Sequence, residues 1–151
     1  MVKKEKEVKL IKEKHKIKIL LSIFLCLVIF VLAANIDRKY REELAKNDAR
    51  NMLEKTLIYI VKNEITFDSA IAKTFDLGQI DPEKEINICP LNKQEYSRKI
   101  YNKEVSSYDS SIIIQLEDEM IDYSVHLDCG NYSVSLFLNS ENKQEFRIDK
   151  K

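Results

Sequence analysis

The chain has 151 residues, 25 Lys+Arg against 25 Asp+Glu, two Gly, two Pro and three Cys. Such a length, once any terminal apolar segment is set aside, holds one small domain and excludes two full-sized ones. With only two glycines there is no Gly-rich loop to cradle a phosphate.

The zero charge sum hides a split. Residues 1–18 carry eight Lys and three Glu, a net of +5, whereas residues 35–151 carry 17 Lys+Arg and 22 Asp+Glu, a net of −5. Glu5, Glu7 and Glu13 interrupt the basic arm, and it holds no aromatic residue on which a base could stack, so no nucleic-acid partner is expected. Between the two charged regions lies Ile19–Ala34, ILLSIFLCLVIFVLAA, with Ser22 as its only polar side chain and no charge.

A membrane-spanning helix needs about 20 residues. Ile17, with Lys18 snorkelling, extends the run at one end and Asn35-Ile36 extends it at the other. Lysines beside a span favour the cytoplasmic side, which leaves the acidic domain outside the cell membrane and the lipid bilayer as first partner. Anionic headgroups would hold the arm by roughly 1 kcal/mol per basic residue near the surface. A cleaved signal peptide is the alternative, with Val31-Leu32-Ala33 as a tolerable cleavage sequence. No Gly or Pro occurs before Gly78, so nothing breaks the helix there, and this favours an uncleaved signal anchor. Phe24 and Leu25 stand where a lipoprotein site would need small residues, so Cys26 reads as an apolar side chain.

The expected organisation is a cytoplasmic basic arm over 1–18, a transmembrane signal-anchor helix over 19–36 and an amphipathic stalk and core helix over 37–65. A connecting region with short helices over 66–110 and an antiparallel β-meander over 111–151 complete it, so that 37–151 form one extracytoplasmic domain.

Residues 36–65 are helix formers, with opposite charges four apart at Asp37/Arg41, Arg38/Glu42, Lys39/Glu43, Glu42/Lys46 and Arg50/Glu54. Only Ile36, Tyr40 and Leu44 are apolar in the first part, a narrow row. From there the stripe widens to Ala45, Ala49, Met52, Leu53, Leu57, Ile60, Val61 and Ile65. A wide stripe packs on something, and the heptad needed for a coiled-coil stalk does not persist past two repeats, so the helix is expected to cover its own domain.

The connection is harder to read. Asp68 to Phe75 suggests a short helix ended by Gly78, and Asp81-Pro82 a turn. Asn92 followed by Glu95, with Leu91 and Tyr96 at the staple positions, suggests a capped helix over about 93–103 that sets Tyr96 and Ile100 on one side.

From Ser111 the period becomes two. Ile112, Ile114 and Leu116 alternate with Ile113, Gln115 and Glu117; Ile121, Tyr123, Val125 and Leu127 with Asp122, Ser124 and His126; Tyr132, Val134, Leu136 and Leu138 with Ser133, Ser135 and Phe137. Gly130-Asn131 as a two-residue hairpin loop pairs Leu127 with Val134, Val125 with Leu136 and Tyr123 with Leu138 on one face. It sets His126 opposite Ser135 and Ser124 opposite Phe137 on the other. Phe146 and Ile148 suggest a last edge strand. The fold class is therefore α+β, a long N-terminal helix packed on a three- to four-stranded antiparallel β-meander.

Chemistry-bearing residues are few. Cys89 and Cys129 lie outside the membrane on this topology, where a disulfide persists, and it would close a loop of about 40 residues worth on the order of 4 kcal/mol. Two separate buried thiols are the other reading. His126-x-x-Cys129 is half a metal site, but residues three apart on a strand point to opposite faces. Asp122, Ser124 and His126, with Ser133 and Ser135 opposite, have the residue types of a Ser/His/Asp triad but not its sharp turn or oxyanion donors, and a solvated strand face accounts for them. Asn131-Tyr132-Ser133 matches a glycosylation acceptor, yet Asn131 stands where the hairpin wants a turn residue. No metal, cofactor or catalytic residue is expected.

In outline, a basic leader, an apolar helix running into an amphipathic half, a variable connection and a late meander, the chain resembles a type IV pilin or a pseudopilin of a secretion or DNA-uptake machine. The family's leader-cleavage Gly and mature-helix Glu are absent from Lys16-Ile17-Lys18-Ile19-Leu20-Leu21-Ser22. The resemblance implies an anchored structural subunit that assembles through its long helix, with no cofactor and no catalysis. A bitopic envelope protein binding a partner, and a small secreted binding domain released near Ala33, are the competing expectations.

Overall fold

The computed structural model describes residues 2–67, 71–98, 109–117, 120–138 and 143–151. It is an α+β fold. Helix α1 runs Val2–Lys62, strand β1 Lys73–Asp76, the single-turn helix α2 Leu77–Ile80, β2 Ser111–Glu117, β3 Met120–Asp128, β4 Tyr132–Leu138 and β5 Gln144–Lys150. The chain divides into two compact units between Lys39 and Tyr40.

Within the first unit, α1 keeps its apolar side chains from Ile17 to Ile36 uncovered. Phe24 is 68% and Phe30 73% exposed, and no residue from Lys16 to Lys39 is buried. In the second unit the same helix packs on the sheet. Ala45, Ala49, Met52 and Leu53 are buried in one cluster with Ile112 and Ile114 of β2, Val125 and Leu127 of β3, and Val134 and Leu136 of β4. The two alanines sit where a larger side chain would hold the helix off the strands. The covered stripe turns out narrower than the sequence suggests. Leu57 and Val61 are exposed, and Thr56 takes the inward position instead, its hydroxyl donating to the Met52 carbonyl at 2.7 Å so that it is buried without an orphaned donor.

The sheet is a five-stranded antiparallel meander in the order β1-β2-β3-β4-β5. The β3–β4 register pairs Leu127 with Val134, Val125 with Leu136, His126 with Ser135 and Ser124 with Phe137, as the alternation and the turn require. Gly130 makes that turn with φ 78°, the left-handed value a side chain resists, and β5 closes one edge as expected.

Two expectations in the connection do not hold. The helix expected between Asp68 and Phe75 is absent from its described part: 71–72 are irregular and strand β1 begins at Lys73, while residues 68–70 lie outside the described residues. Phe75 is buried while Thr74 is exposed, and β1 pairs Lys73 with Ile114 and Phe75 with Ile112. The free edge of β2 therefore supplies a hydrogen-bonding template that outweighs four residues' weak helical preference. Gly78 does not end a helix but lies within α2, whose N-cap Asp76 accepts from the Gln79 N–H at 3.0 Å.

Residues 93–98 are not helical either, and the rest of the helix expected there, Ile100 included, lies outside the described residues. Lys93 has φ 62°, which no helical first turn tolerates. Asn92 closes a local turn by accepting from the Gln94 N–H at 3.0 Å, and Ile88 bridges Glu95 in an antiparallel pair. Tyr96 is drawn inward, its hydroxyl donating to Asp48 of α1 at 2.9 Å.

Candidate functional site

Three groups of side chains could carry function: the uncovered apolar stretch of α1, a clasp that fastens the connection to the domain, and a polar cluster on the open face of the sheet.

The apolar stretch is long and apolar enough to cross a membrane by length and composition, and none of it is buried. Soluble monomers rarely expose a contiguous apolar surface of this extent. Such a helix near the N-terminus fits a single-pass anchor or a signal sequence.

The clasp has a covalent and an ionic half. Cys89 and Cys129 form a disulfide and are almost wholly buried, so the loop around Cys89 is tied to the β3–β4 hairpin. Backbone bonds knit the same seam: Ser97 N–H donates to the Asp128 carbonyl at 2.6 Å, and the Asn92 amide to the Cys129 carbonyl at 2.7 Å.

The ionic half centres on Asp81, which is fully buried. Its Oδ1 accepts from the Glu85 N–H at 3.2 Å and faces Lys55 Nζ at 3.1 Å; its Oδ2 accepts from the Ile86 N–H at 2.8 Å and from Arg98 Nη2 at 3.1 Å. The Arg98 guanidinium also donates to the carbonyls of Leu77, Asp81 and Ile86 at 3.2, 2.8 and 2.7 Å. Burial opposes the Asp81 charge, but the Ile86 N–H, Arg98 and Lys55 outweigh it and hold the carboxyl below its ordinary range. Lys55, partly exposed, is pushed up by its hydrogen bond to Glu85 at 2.5 Å. Every lone pair of Asp81 is occupied, so the group is a fastening and offers nothing to a substrate. Elsewhere in the core, burial raises both Asp48 and the Tyr96 hydroxyl bonded to it.

The polar cluster contains the residues with triad character. His126 Nδ1 lies 3.3 Å from the Ser135 hydroxyl, and the carboxylate beside its Nε2, at 3.9 Å, is Asp128 rather than Asp122. Ser135 sits mid-strand, its neighbours committed to the ladder, so no pair of backbone N–H groups converges where an oxyanion would form. Cys129 is buried in the disulfide while His126 is on the open face, so the two do not share a ligand position. Among the described residues no three His, Cys, Asp or Glu side chains are grouped to hold a metal ion.

Sequence reasoning reached Cys89 and Cys129 but not Asp81, Arg98 or Asp128. The one usable signal was Asp81-Pro82: an aspartate opening a turn commonly accepts the N–H groups that follow it. Nothing in the sequence ties Arg98 to it across 17 residues. Comparison with protein-family models, curated proteins and solved structures finds no match to the chain.

Proposed function

We propose that the chain is a single-pass membrane-anchored structural or interaction protein. Its basic arm lies in the cytoplasm and its α+β domain outside, and it serves as a divergent minor pilin or pseudopilin of a secretion or DNA-uptake apparatus. The observation that carries this reading is the uncovered apolar stretch of α1, joined by unbroken helix to the segment whose alanine and methionine side chains close the domain core. The disulfide suits a domain held in an oxidising compartment. The long helix over an antiparallel sheet is loosely compatible with a pilin outline. The function is scaffolding, through protein contacts and self-assembly along the helix, with no catalysis and no cofactor.

A second reading, a bitopic envelope protein that binds a partner without polymerising, is favoured by one specific feature. Lys16 to Ser22 carry neither the Gly nor the Glu that a processed pilin would use.

The N-terminal sequence of the mature protein in fractionated cells separates these readings. An intact start in the membrane fraction supports the anchor, and a start near residues 17–19 supports pilin-like processing. A start at Ala34 in the soluble fraction would contradict both and leave a secreted domain. Cysteines placed along the span are then expected to cross-link into ladders in a filament subunit, and a monomeric pattern would leave the bitopic reading.

A further inference from the structure

The cluster at the end of β3 is used neither by core packing nor by the apolar helix. His126 and Asp128 share the open face of the sheet, Ser135 of β4 stands opposite His126, and Lys151 follows β5. Asp128 is nearly buried, and its two oxygens are divided: Oδ1 accepts from the Gly130 N–H at 3.0 Å, and Oδ2 holds the Lys151 ammonium. His126 Nε2 lies 3.9 Å from that same Oδ2, is buried, and has no hydrogen-bond partner among the described residues.

Among the described residues, groups from three strands surround the His126 imidazole. Ser111 of β2 and Ser135 of β4, its cross-strand neighbours, are uncharged. Asp122 lies four residues earlier on β3. Asp149 of β5 contributes a negative field and is itself 4.0 Å from Arg147.

We propose that His126, Asp128 and Lys151 form an acid-responsive latch, in which protonation of His126 sets a second cation on the Asp128 carboxylate and loosens Lys151 and the end of β5. Two cations then compete for one carboxylate oxygen, because the other is committed to the turn at Gly130. Lys151 is the member that can leave: it follows the last strand, whereas His126 is fixed within a strand paired on both sides. Its departure has a structural consequence, since the Lys151 N–H also donates to the Asn131 carbonyl at the hairpin turn, 2.9 Å away. Burial pushes the His126 imidazole below its ordinary range and Lys151 adds to that, while Asp128 and Asp149 work the other way. Coupling of this kind is reciprocal: whatever docked Lys151 does to the proton affinity of His126, the proton does to the docking of Lys151. Because β5 is an edge strand, loosening its end changes the strand edge that a partner chain could pair with.

The test is an NMR titration of His126 in the full chain in lipid nanodiscs, wild type beside Lys151→Met, with amide exchange followed at Lys151. Lys151→Met removes a partly exposed side chain and leaves the core intact. The latch predicts that this variant titrates His126 about half a pH unit higher than wild type. It also predicts that the Lys151 amide in wild type loses about threefold protection relative to the Val125 amide as His126 takes its proton, the same free energy read from the other side. His126→Gln is expected to abolish that pH dependence. Equal His126 titrations in wild type and Lys151→Met, or a protection ratio that stays flat through the titration, would overturn the proposal.

Discussion

Helix α1 contains two stretches with apolar side chains that have opposite environments. From Ile19 to Leu32 every large apolar side chain is exposed, whereas Ala45, Ala49, Met52 and Leu53 are sealed against the sheet. The difference lies in what surrounds each stretch in sequence. The first is apolar around its whole circumference and therefore asks for an apolar solvent; the second confines its small and apolar residues to one stripe and asks for a single apolar surface. Burial in protein and exposure to lipid are alternative answers to the same hydrophobic demand.

That contrast can be strained from either side. The largest effect is expected in the clasp that holds the connection to the second stretch's domain. Arg98→Met leaves the buried Asp81 carboxylate without its strongest side-chain partner and is expected to cost about 3–5 kcal/mol in chemical denaturation. Next, Met52→Ala opens a cavity between helix and sheet and should cost about 2–5 kcal/mol. The matching truncation in the first stretch, Phe24→Ala, removes a larger side chain yet is expected to leave domain stability within about 0.5 kcal/mol, because Phe24 touches no core. Equal effects for Met52→Ala and Phe24→Ala would erase the distinction between the two stretches.

A smaller effect is expected at the hairpin. An alanine at Gly130 would keep φ at 78° with its Cβ 2.8 Å from Gln94 Oε1, the mobile end of an exposed side chain, so about 1–2 kcal/mol is expected from the backbone. The pH dependence of stability follows from Asp81, whose folded carboxyl sits below its ordinary value. The stability it contributes is present above the unfolded value of 3.8 and is lost as pH falls through the folded one. Asp81→Asn should therefore flatten the acid limb of a stability curve measured below about pH 4.

How far the fold could be read from sequence depends on whether local pattern and tertiary demand agree. They agree in the β3–β4 hairpin, where alternation from Tyr123 to Leu138 and the Gly130 turn specify the same register. They disagree in the connection. Lys73–Asp76 has one buried apolar residue, Phe75, and becomes a strand because the edge of β2 needs a partner, although the paired residues lie far apart in sequence. Asn92 and Glu95 have the spacing of a capping box, yet the disulfide at Cys89 and the pull of Asp48 on Tyr96 hold the backbone in a turn instead. Thr56 illustrates the same limit within a helix, since its self-satisfied hydroxyl lets a polar residue take the inward place that Leu57 was expected to fill. The membrane-compatible stretch and the cysteine pair were legible; the Asp81–Arg98 fastening and the Asp128–Lys151 pair depend on long-range approach and were not.

Cys26 offers the most direct test of the anchor. It is the one free cysteine among the described residues and lies in the middle of the uncovered stretch, while Cys89 and Cys129 are bridged. In intact membranes a water-soluble maleimide is expected to label nothing. In denaturant without reductant it should label Cys26 alone, and after reduction all three cysteines. Ready labelling of Cys26 in intact membranes, or recovery of the whole chain in the soluble fraction, would contradict a lipid-embedded helix.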